Sequence, residues 1–266
     1  TIGNSWSGGG FNYAWQGRID DMRVWDRALS ATEASSLYSA GREDSISLTE
    51  DLLGTWNFDS ANANDSVGSN NGTANNMTFT TAGGRTFADF NGTNGDIHLD
   101  ESVGDYWASD TTLSMWVKTT QTPSGNSPNE YAQIFQVRES YSSSAQSYFA
   151  VALQPAGTVT VGWRSKTGTN ATQPTYSGNT INDGQWHHLA LVKSGTNLHM
   201  YVDGSLSGTL TNVQSNFVSN IAVRIGSYTS GSGSSRMFDG QMDDIRMWTR
   251  ALAAVKLQIC TLQHSN

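Results

Sequence analysis

Two aspartates stand side by side twice in this chain, at Asp20-Asp21 and at Asp243-Asp244. Each pair is followed by an arginine and then a tryptophan, Arg23 and Trp25 or Arg246 and Trp248. In an extended strand alternate side chains share a face, so Asp244, Arg246 and Trp248 go together and Asp243, Ile245 and Met247 go together. The first trio reads as an ion pair beside an aromatic. The second places Asp243 at the margin of a face expected to point inward. A carboxylate there needs a cation or several backbone N–H groups to replace lost water. The Gly/Asn/Ser-rich stretch 59–72 supplies Asp59, Asp65, Asn70 and Asn71. Calcium takes about 6–8 oxygens from such groups. The expectation is one structural Ca2+ held by Asp59, Asp65, Asn70, Asn71 and Asp243. The competing reading is an Asx-rich turn that satisfies its own backbone.

Aromatic side chains form the second set. Tyr141, Trp163 with Arg164, Tyr176 and Tyr228 lie on or beside Ser/Gly/Thr-rich stretches. Exposed rings beside amides and a guanidinium can stack on sugar rings while polar groups hold hydroxyls, so these five residues are the candidate ligand-binding set. Ordinary loop anchoring is the alternative. Trp56, Trp116, Trp186 and Trp248 alternate with apolar residues and read as core.

Hydrolytic chemistry has little to stand on. Glycoside hydrolysis needs two carboxyl groups, about 5–5.5 Å apart in retaining enzymes. None of the six glutamates has an acid two residues away, as one strand face would require. His187-His188 reads as structural, no Cys-x-x-Cys or His-Glu-x-x-His occurs, and Cys260 alone precludes an internal disulfide.

Strands dominate the elements that would position these groups. Alternating runs fall near Leu53–Phe58, Phe87–Phe90, Asp96–Leu99, Thr112–Thr119, Tyr131–Val137, Tyr148–Gln154, Thr158–Arg164, Trp186–Lys193, Asn197–Val202, Ser205–Leu210, Ala222–Ser227 and Gly240–Trp248. Asp203-Gly204 predicts a tight hairpin, because that turn needs positive φ. Helices are expected at Ala28–Tyr38 and Ala251–Gln258, and Ser30-Ala31-Thr32-Glu33 has the spacing of a capping box. Many strands without intervening long helices imply an antiparallel sandwich.

Of 266 residues only 14% are charged, 27 are glycine, and the net charge is −8. Binding to nucleic acid or an anionic membrane draws on a basic patch, and none is visible in the sequence. No apolar run approaches the roughly 20 residues of a membrane-spanning helix, so membrane insertion is not expected. The phrase Gly17–Leu29 returns 223 residues later as Gly240–Leu252, a period of domain size. Residues 1–46 therefore read as the C-terminal strand-and-helix remnant of one domain, and 47–266 as a complete second copy. The remnant is expected to bury an apolar face that includes Ile19, Met22, Val24 and Trp25.

Four pieces carry a resemblance. They are Leu53-Gly54-Thr55-Trp56-Asn57-Phe58-Asp59, then Phe87-Ala88-Asp89-Phe90-Asn91-Gly92-Thr93 with Leu113–Lys118, then Gln185-Trp186-His187-His188 leading to Tyr201-Val202-Asp203-Gly204, and the Asp-Asp-x-Arg-x-Trp phrase with Arg250-Ala251-Leu252. In this order they resemble the laminin-G-like, concanavalin A-like lectin-glucanase superfamily, in its bacterial-type LamG-like jelly-roll branch. The resemblance implies an all-β, two-sheet antiparallel jelly roll with adjacent first and last strands, a short C-terminal helix, and binding rather than catalysis. Where jelly-roll lyases carry Gln-Ile-His, this chain has Gln133-Ile134-Phe135. The expected function is a non-catalytic, secreted or surface-displayed glycan-binding or adhesion module, Ca2+-stabilised, within a tandem multidomain protein. Its partners would be a glycan or cell-surface component and neighbouring LamG-like domains. The alternatives are a structural repeat of a surface fibre and, third, a polysaccharide-degrading enzyme.

Overall fold

A strand with one apolar side has to lay that side against another layer, and here two antiparallel sheets cover each other. The computed structural model describes residues 4–7, 10–14, 22–42, 48–124, 131–139, 148–164, 170–171, 180–213, 221–230 and 233–263. The chain divides into two units, Thr1–Ser45 and Ile46–Asn266.

The first unit holds strands β1 (Asn4–Ser7) and β2 (Gly10–Ala14), paired as a hairpin, and helix α1 (Ala31–Arg42). The capping box forms as expected: Glu33 N–H donates to Ser30 Oγ at 3.2 Å, and Ser30 N–H donates to Glu33 Oε2 at 2.6 Å. The helix begins later and runs further than Ala28–Tyr38, because the cap at Ser30 sets its start. Residues 22–30 form neither helix nor strand.

The second unit runs β3 (Leu52–Trp56), β4 (Thr73–Asn75), β5 (Thr78–Ala82), β6 (Arg85–Asn91), β7 (Asp96–Leu99), α2 (Ser102–Asp105), β8 (Thr111–Lys118), β9 (Ala132–Glu139), β10 (Tyr148–Leu153), β11 (Val159–Arg164), β12 (Asn170–Ala171), β13 (Trp186–Ser194), β14 (Asn197–Val202), β15 (Ser205–Leu210), β16 (Ile221–Ile225), β17 (Tyr228–Ser230), β18 (Gly233–Ser235), β19 (Asp239–Trp248) and α3 (Ala254–Gln263). One sheet has the order β15-β14-β13-β8-β19-β6-β5, with β3 also paired to β19; the other is β12-β11-β10-β9-β16-β7-β4. First and last strands therefore lie side by side, as the resemblance implied. The hairpin β17–β18 and helix α3 stand where a 223-residue offset carries β1–β2 and α1. The intervening phrase differs: Ile245 and Met247 are fully buried in β19, whereas their counterparts Met22 and Val24 are 52% and 87% exposed. Those two positions of the expected apolar face are thus uncovered.

Between the sheets, Trp107 stacks on Phe149 with ring centroids 4.1 Å apart, and Trp163 meets both edge-on or tilted. A second apolar cluster lies on the outer face of the eight-stranded sheet. There Ala190, Val192 and Trp248 are covered by Leu252, Leu257 and Cys260 from the C-terminal segment. Trp248 Nε1–H donates to the Leu48 carbonyl at 2.6 Å, which ties the domain's start to its last strand. Thus the C-terminal segment covers part of one outer face of the sandwich.

At the β14–β15 hairpin Asp203 and Gly204 take φ +50° and +75°, the left-handed pair the turn requires. Asp203 also accepts the His188 N–H at 2.9 Å and faces His187 Nδ1 at 2.9 Å, while Asp183 faces His187 Nε2 at 3.1 Å. Only the imidazolium can donate from both nitrogens. The Asp203 hydrogen bond first, and then Asp183, raise the His187 pKa above 6.5 against the opposing effect of burial. Burial would raise the Asp203 carboxyl, but His187 and the His188 N–H outweigh it and hold it below 3.8. The Gln185 N–H and His187 likewise lower Asp183. A raised base stabilises the fold at pH below its unfolded value and loses that contribution as pH rises through the folded one; lowered acids lose theirs toward low pH. The melting-temperature advantage of the native chain over His187→Gln is therefore expected to peak near pH 5–6 and to shrink by about pH 8.5. A difference independent of pH would contradict the clamp.

Candidate functional site

Strand parity decides what each face of the seven-stranded sheet carries. Val223, Val137, Phe149 and Trp163 stand opposite one another across β16, β9, β10 and β11, and all four are buried in the core. The adjacent rows must point outward. One row is Ala222, Arg138, Tyr148 and the backbone position of Arg164; the next is His98, Arg224, Gln136, Ala150 and Gly162. Arg138, Tyr148, Ala222, Arg224 and His98 are half-buried on this face, and Gln136 is buried. Guanidiniums, an amide, an imidazole and a phenol thus stand over a floor of alanine and glycine.

Tyr228, at the start of β17, joins the same end of the sheet. Its hydroxyl accepts from Arg138 Nη1. The Arg138 guanidinium lies 4.8 Å from the Tyr228 ring centroid, and the Arg236 guanidinium lies 3.8 Å from it. Burial first, and the neighbouring Arg138 cation, lower the Arg236 pKa, against Tyr228 and Tyr148, which raise it. Further along, Asp96 is buried and accepts from Ser227 Oγ at 2.7 Å and Asn75 Nδ2 at 3.0 Å, with His98 Nε2 at 3.0 Å. Burial would raise this carboxyl, but those partners together hold it below its ordinary value.

The aromatic set separates. Tyr228 lies on the polar face. Trp163 corrects the expectation: it is 1% exposed and packed on Trp107 and Phe149. Trp163 and Arg164 are consecutive strand residues, so one points inward and the other outward; the pair cannot serve one surface. The Arg164 side chain, Tyr141 and Tyr176 lie outside the described residues. Arg138, Tyr148, Arg224 and Arg236 escaped sequence reasoning, because their grouping depends on cross-strand register. Alternation of Arg138 with buried Val137 was the available signal. Phe135, at the position of the lyase-type histidine, is fully buried in the core.

The calcium set separates too. Asp65 is buried, and its Oδ1 accepts the N–H groups of Thr55 and Val67 at 3.0 and 3.1 Å. Its Oδ2 accepts from Asn70 N–H and Nδ2 at 3.1 and 3.4 Å. Asn71 Oδ1 accepts the Asp65 N–H, and Asn70 Nδ2 also donates to the Leu53 carbonyl. A Cβ on Gly68 would stand 2.6 Å from Asp65 Oδ2, so the loop closes on the carboxylate only with glycine there. These three residues fit a self-satisfied turn rather than an open cation shell. Among the described residues no group of three His, Cys, Asp or Glu is arranged to hold a metal.

Asp243 corrects the face assignment. A bulge between Asp243 and Arg246, with Asp244 at φ +49°, inserts one residue and shifts the alternation. Met242 and Ile245 point into the core, and Asp243 stands opposite Trp116 on the outer face of the eight-stranded sheet, 3.9 Å from Arg85. Burial, and then the charges of Asp244 and Asp59, push its pKa up to about 7, against the Asp244 N–H and Arg85. Asp244 and Arg246 form the expected ion pair at 2.8 Å. Asp59 accepts from Asn57 Nδ2 at 2.8 Å.

A jelly roll with one outer face partly covered by the C-terminal segment and the other lined by polar side chains has the architecture of a lectin-like β-sandwich. The Laminin_G_3 family, described as the concanavalin A-like lectin/glucanases superfamily, matches residues 91–258, more than half of the chain. The chain belongs to that family. Among solved structures it is similar to domain 4 of AbnA, a GH43 extracellular arabinanase from Geobacillus stearothermophilus, in complex with arabinotriose. That match has 19% identity and a TM-score of 0.61 and covers 79% of this chain and 98% of that one. The binding domain of Paraclostridial Mosquitocidal Protein 1 matches at 14% identity and TM-score 0.65, covering 83% of this chain and 54% of that one. Trypanosoma rangeli sialidase matches at 13% identity and TM-score 0.62, covering 88% of this chain and 38% of that one. This chain thus spans about half of the toxin domain and well under half of the sialidase. No curated protein sequence matches it. Among the described residues no helix is long and apolar enough to cross a membrane.

Removing the Asp65 carboxylate strands several backbone donors, each costing about 1–3 kcal/mol when buried. Asp65→Ala is expected to lower stability by ~2–3 kcal/mol in chemical denaturation, equally in Ca2+ and in EDTA. A loss seen only in Ca2+ would return Asp65 to the metal.

Proposed function

We propose that the second unit binds carbohydrate without turning it over, as a secreted or surface-displayed module. The observation that carries this reading is the contrast between the two outer faces. The outer face of the eight-stranded sheet is capped over Ala190, Val192 and Trp248 by apolar residues of the C-terminal segment, whereas that of the seven-stranded sheet presents Arg138, Tyr148, Tyr228, Arg236, Arg224 and His98 half-buried. Half-buried planar and hydrogen-bonding groups over a small-residue floor suit a saccharide, which offers hydroxyls at its edges and C–H groups on its faces. The arabinotriose complex of the similarly folded arabinanase domain supports it. So does Asp96 on this face, whose carboxyl His98, Ser227 and Asn75 hold below its ordinary value, which leaves it poorly placed to act as a hydrolytic acid.

Calcium stabilisation rests on Asp243 with Asp59 nearby, since burial and then the charges of Asp244 and Asp59 raise the cost of ionising Asp243 and a cation would relieve it. A glycan-array screen run in millimolar Ca2+ and again in EDTA tests both parts. Binding to a defined sugar class is expected, with a melting-temperature drop in EDTA that Asp243→Asn abolishes. Folded protein that binds no glycan removes the lectin reading, and an unchanged melting temperature removes the metal.

A specific observation favours a second reading, a repeat unit of a tandem, surface-assembled protein. Elements β1–β2 and α1 recur as β17–β18 and α3, while Met22 and Val24 stand exposed where their counterparts are buried by neighbouring strands. Light scattering on the full chain and on a Met22→Asp/Val24→Asp variant checks it. Association that the variant loses supports assembly; monomers of both at high concentration remove it.

A further inference from the structure

The phrase that β19 uses occurs twice in the chain, whereas one strand position in the sandwich takes it. That position lies between β8 on one side and β3 and β6 on the other. Backbone geometry makes it selective. Gly240 takes φ +152°, and a Cβ there would stand 2.5 Å from the Lys118 carbonyl oxygen. Asp244 takes φ +49° at the bulge, a conformation that glycine, asparagine and aspartate tolerate best. Its N–H donates to Asp243 Oδ1 at 2.7 Å, and its carboxylate pairs with Arg246 at 2.8 Å. At the 223-residue offset the first copy has Gly17, Asp20, Asp21 and Arg23 in these places.

The apolar pattern agrees as well. Met242, Ile245 and Met247 fill the space between the sheets, and Ile19, Met22 and Val24 are their counterparts. Trp25 and Leu29 correspond to Trp248 and Leu252 of the outer cluster. A slip of one residue would turn each of these to the wrong face. Agreement at the glycine, the bulge and the apolar positions together therefore fits the first copy to the same position.

The fit is not equal. Val24 is smaller than Met247 and would leave part of the core unfilled. Asp26 stands for Thr249, whose hydroxyl donates to the Asp51 carbonyl at 3.4 Å, and an ionised carboxylate has no proton to donate there. Arg18 in place of Gln241 would stand opposite Asp89 on one side and Lys118 on the other, where the effects of its charge offset. β19 is thus the better occupant, and it holds the position in the structure, while Met22 and Val24 are exposed.

Order along the chain separates the two copies in time. Residues 17–29 precede every strand of the second unit, and β19 follows all the others. Until β19 is made, β8 lacks the strand that joins it to β3 and β6, and unpaired edges of that kind invite association with other chains. Trp248 reaches back to Leu48 across 200 residues, whereas Trp25 lies within about thirty residues of Leu52, and closing the shorter loop costs less entropy.

We propose that Gly17–Leu29 is a provisional last strand, which closes the eight-stranded sheet of its own chain before β19 is in place and then yields to β19 as the better-fitting copy. The inference rests on neither functional reading above.

Full-chain variants and refolding kinetics test it. A graft of the first copy onto β19, Gln241→Arg/Met242→Ile/Ile245→Met/Met247→Val/Thr249→Asp, is expected to fold to the same sandwich by circular dichroism and to melt several degrees below the native chain. A graft that does not fold overturns the proposal. Met22→Asp/Val24→Asp is expected to leave the melting temperature of the second unit unchanged, because β19 is intact, yet to slow refolding from denaturant about three-fold in dilute solution. Native and variant chains that refold with the same rate and yield overturn it. In Ile245→Asp/Met247→Asp, β19 itself is disabled. That chain is expected to keep a monomeric, lower-melting cooperative sandwich, which adding Met22→Asp/Val24→Asp abolishes. Loss of the sandwich while the first copy is intact overturns the proposal. A sandwich that sediments only as a dimer assigns the position to the phrase of a second copy and overturns the own-chain form.

Discussion

The domain depends on the pairing of β19, a strand from the C-terminal end of the chain that occupies the middle of the eight-stranded sheet. It bonds to β8 on one side and to β3 and β6 on the other, so its loss would split that sheet. Contacts this distant in sequence form only after the intervening chain has been brought together, which is costly in loop entropy. The side chains of β19 reward that closure on both faces. Met242, Ile245 and Met247 fill the space between the sheets, and Trp248 anchors the covering helix outside. A single inserted residue, Asp244, shifts the phase between Met242 and Ile245 and puts Asp243 on the outer face.

The two outer faces diverge because different parts of the chain run over them. Trp248, Val192 and Ala190 would be a large exposed apolar patch without α3 and Leu48. The opposite face needs no such cover, since its rows carry Arg138, Tyr148, Gln136, Arg224 and His98. That asymmetry gives a symmetric-looking sandwich one partly covered side and one open polar side. The first unit shows the converse. There the same phrase as β19 lacks strand neighbours among the described residues, and Met22 and Val24 face solvent.

Much of this was legible in the residues. Strands such as Asp96–Leu99, Asn197–Val202 and Ser205–Leu210 fell where alternation placed them. β4 and β5 were missed because runs such as Thr73–Asn75 and Thr78–Ala82 carry little apolar alternation and owe their conformation to pairing with β7 and β6. The helical residues Ser102–Asp105 were missed because four residues make too short a period to read. Asp65 and Asn70 were visible as oxygen-rich, but oxygen content does not tell a cation shell from a turn. What decides is whether N–H donors already occupy the lone pairs, and here they do.

The residues alone determined the local features: the Ser30–Glu33 cap, the Asp203-Gly204 turn and the alternation of each strand. Each rests on contacts within a few residues, where stereochemistry leaves few choices. Only the tertiary structure decided which rows meet. Placing Trp163 in the core, Asp243 outside and Arg138 beside Arg236 depends on cross-strand register, on one bulge and on a segment brought back from far along the chain. Those follow from burying the whole apolar surface at once, and no window of sequence contains that constraint.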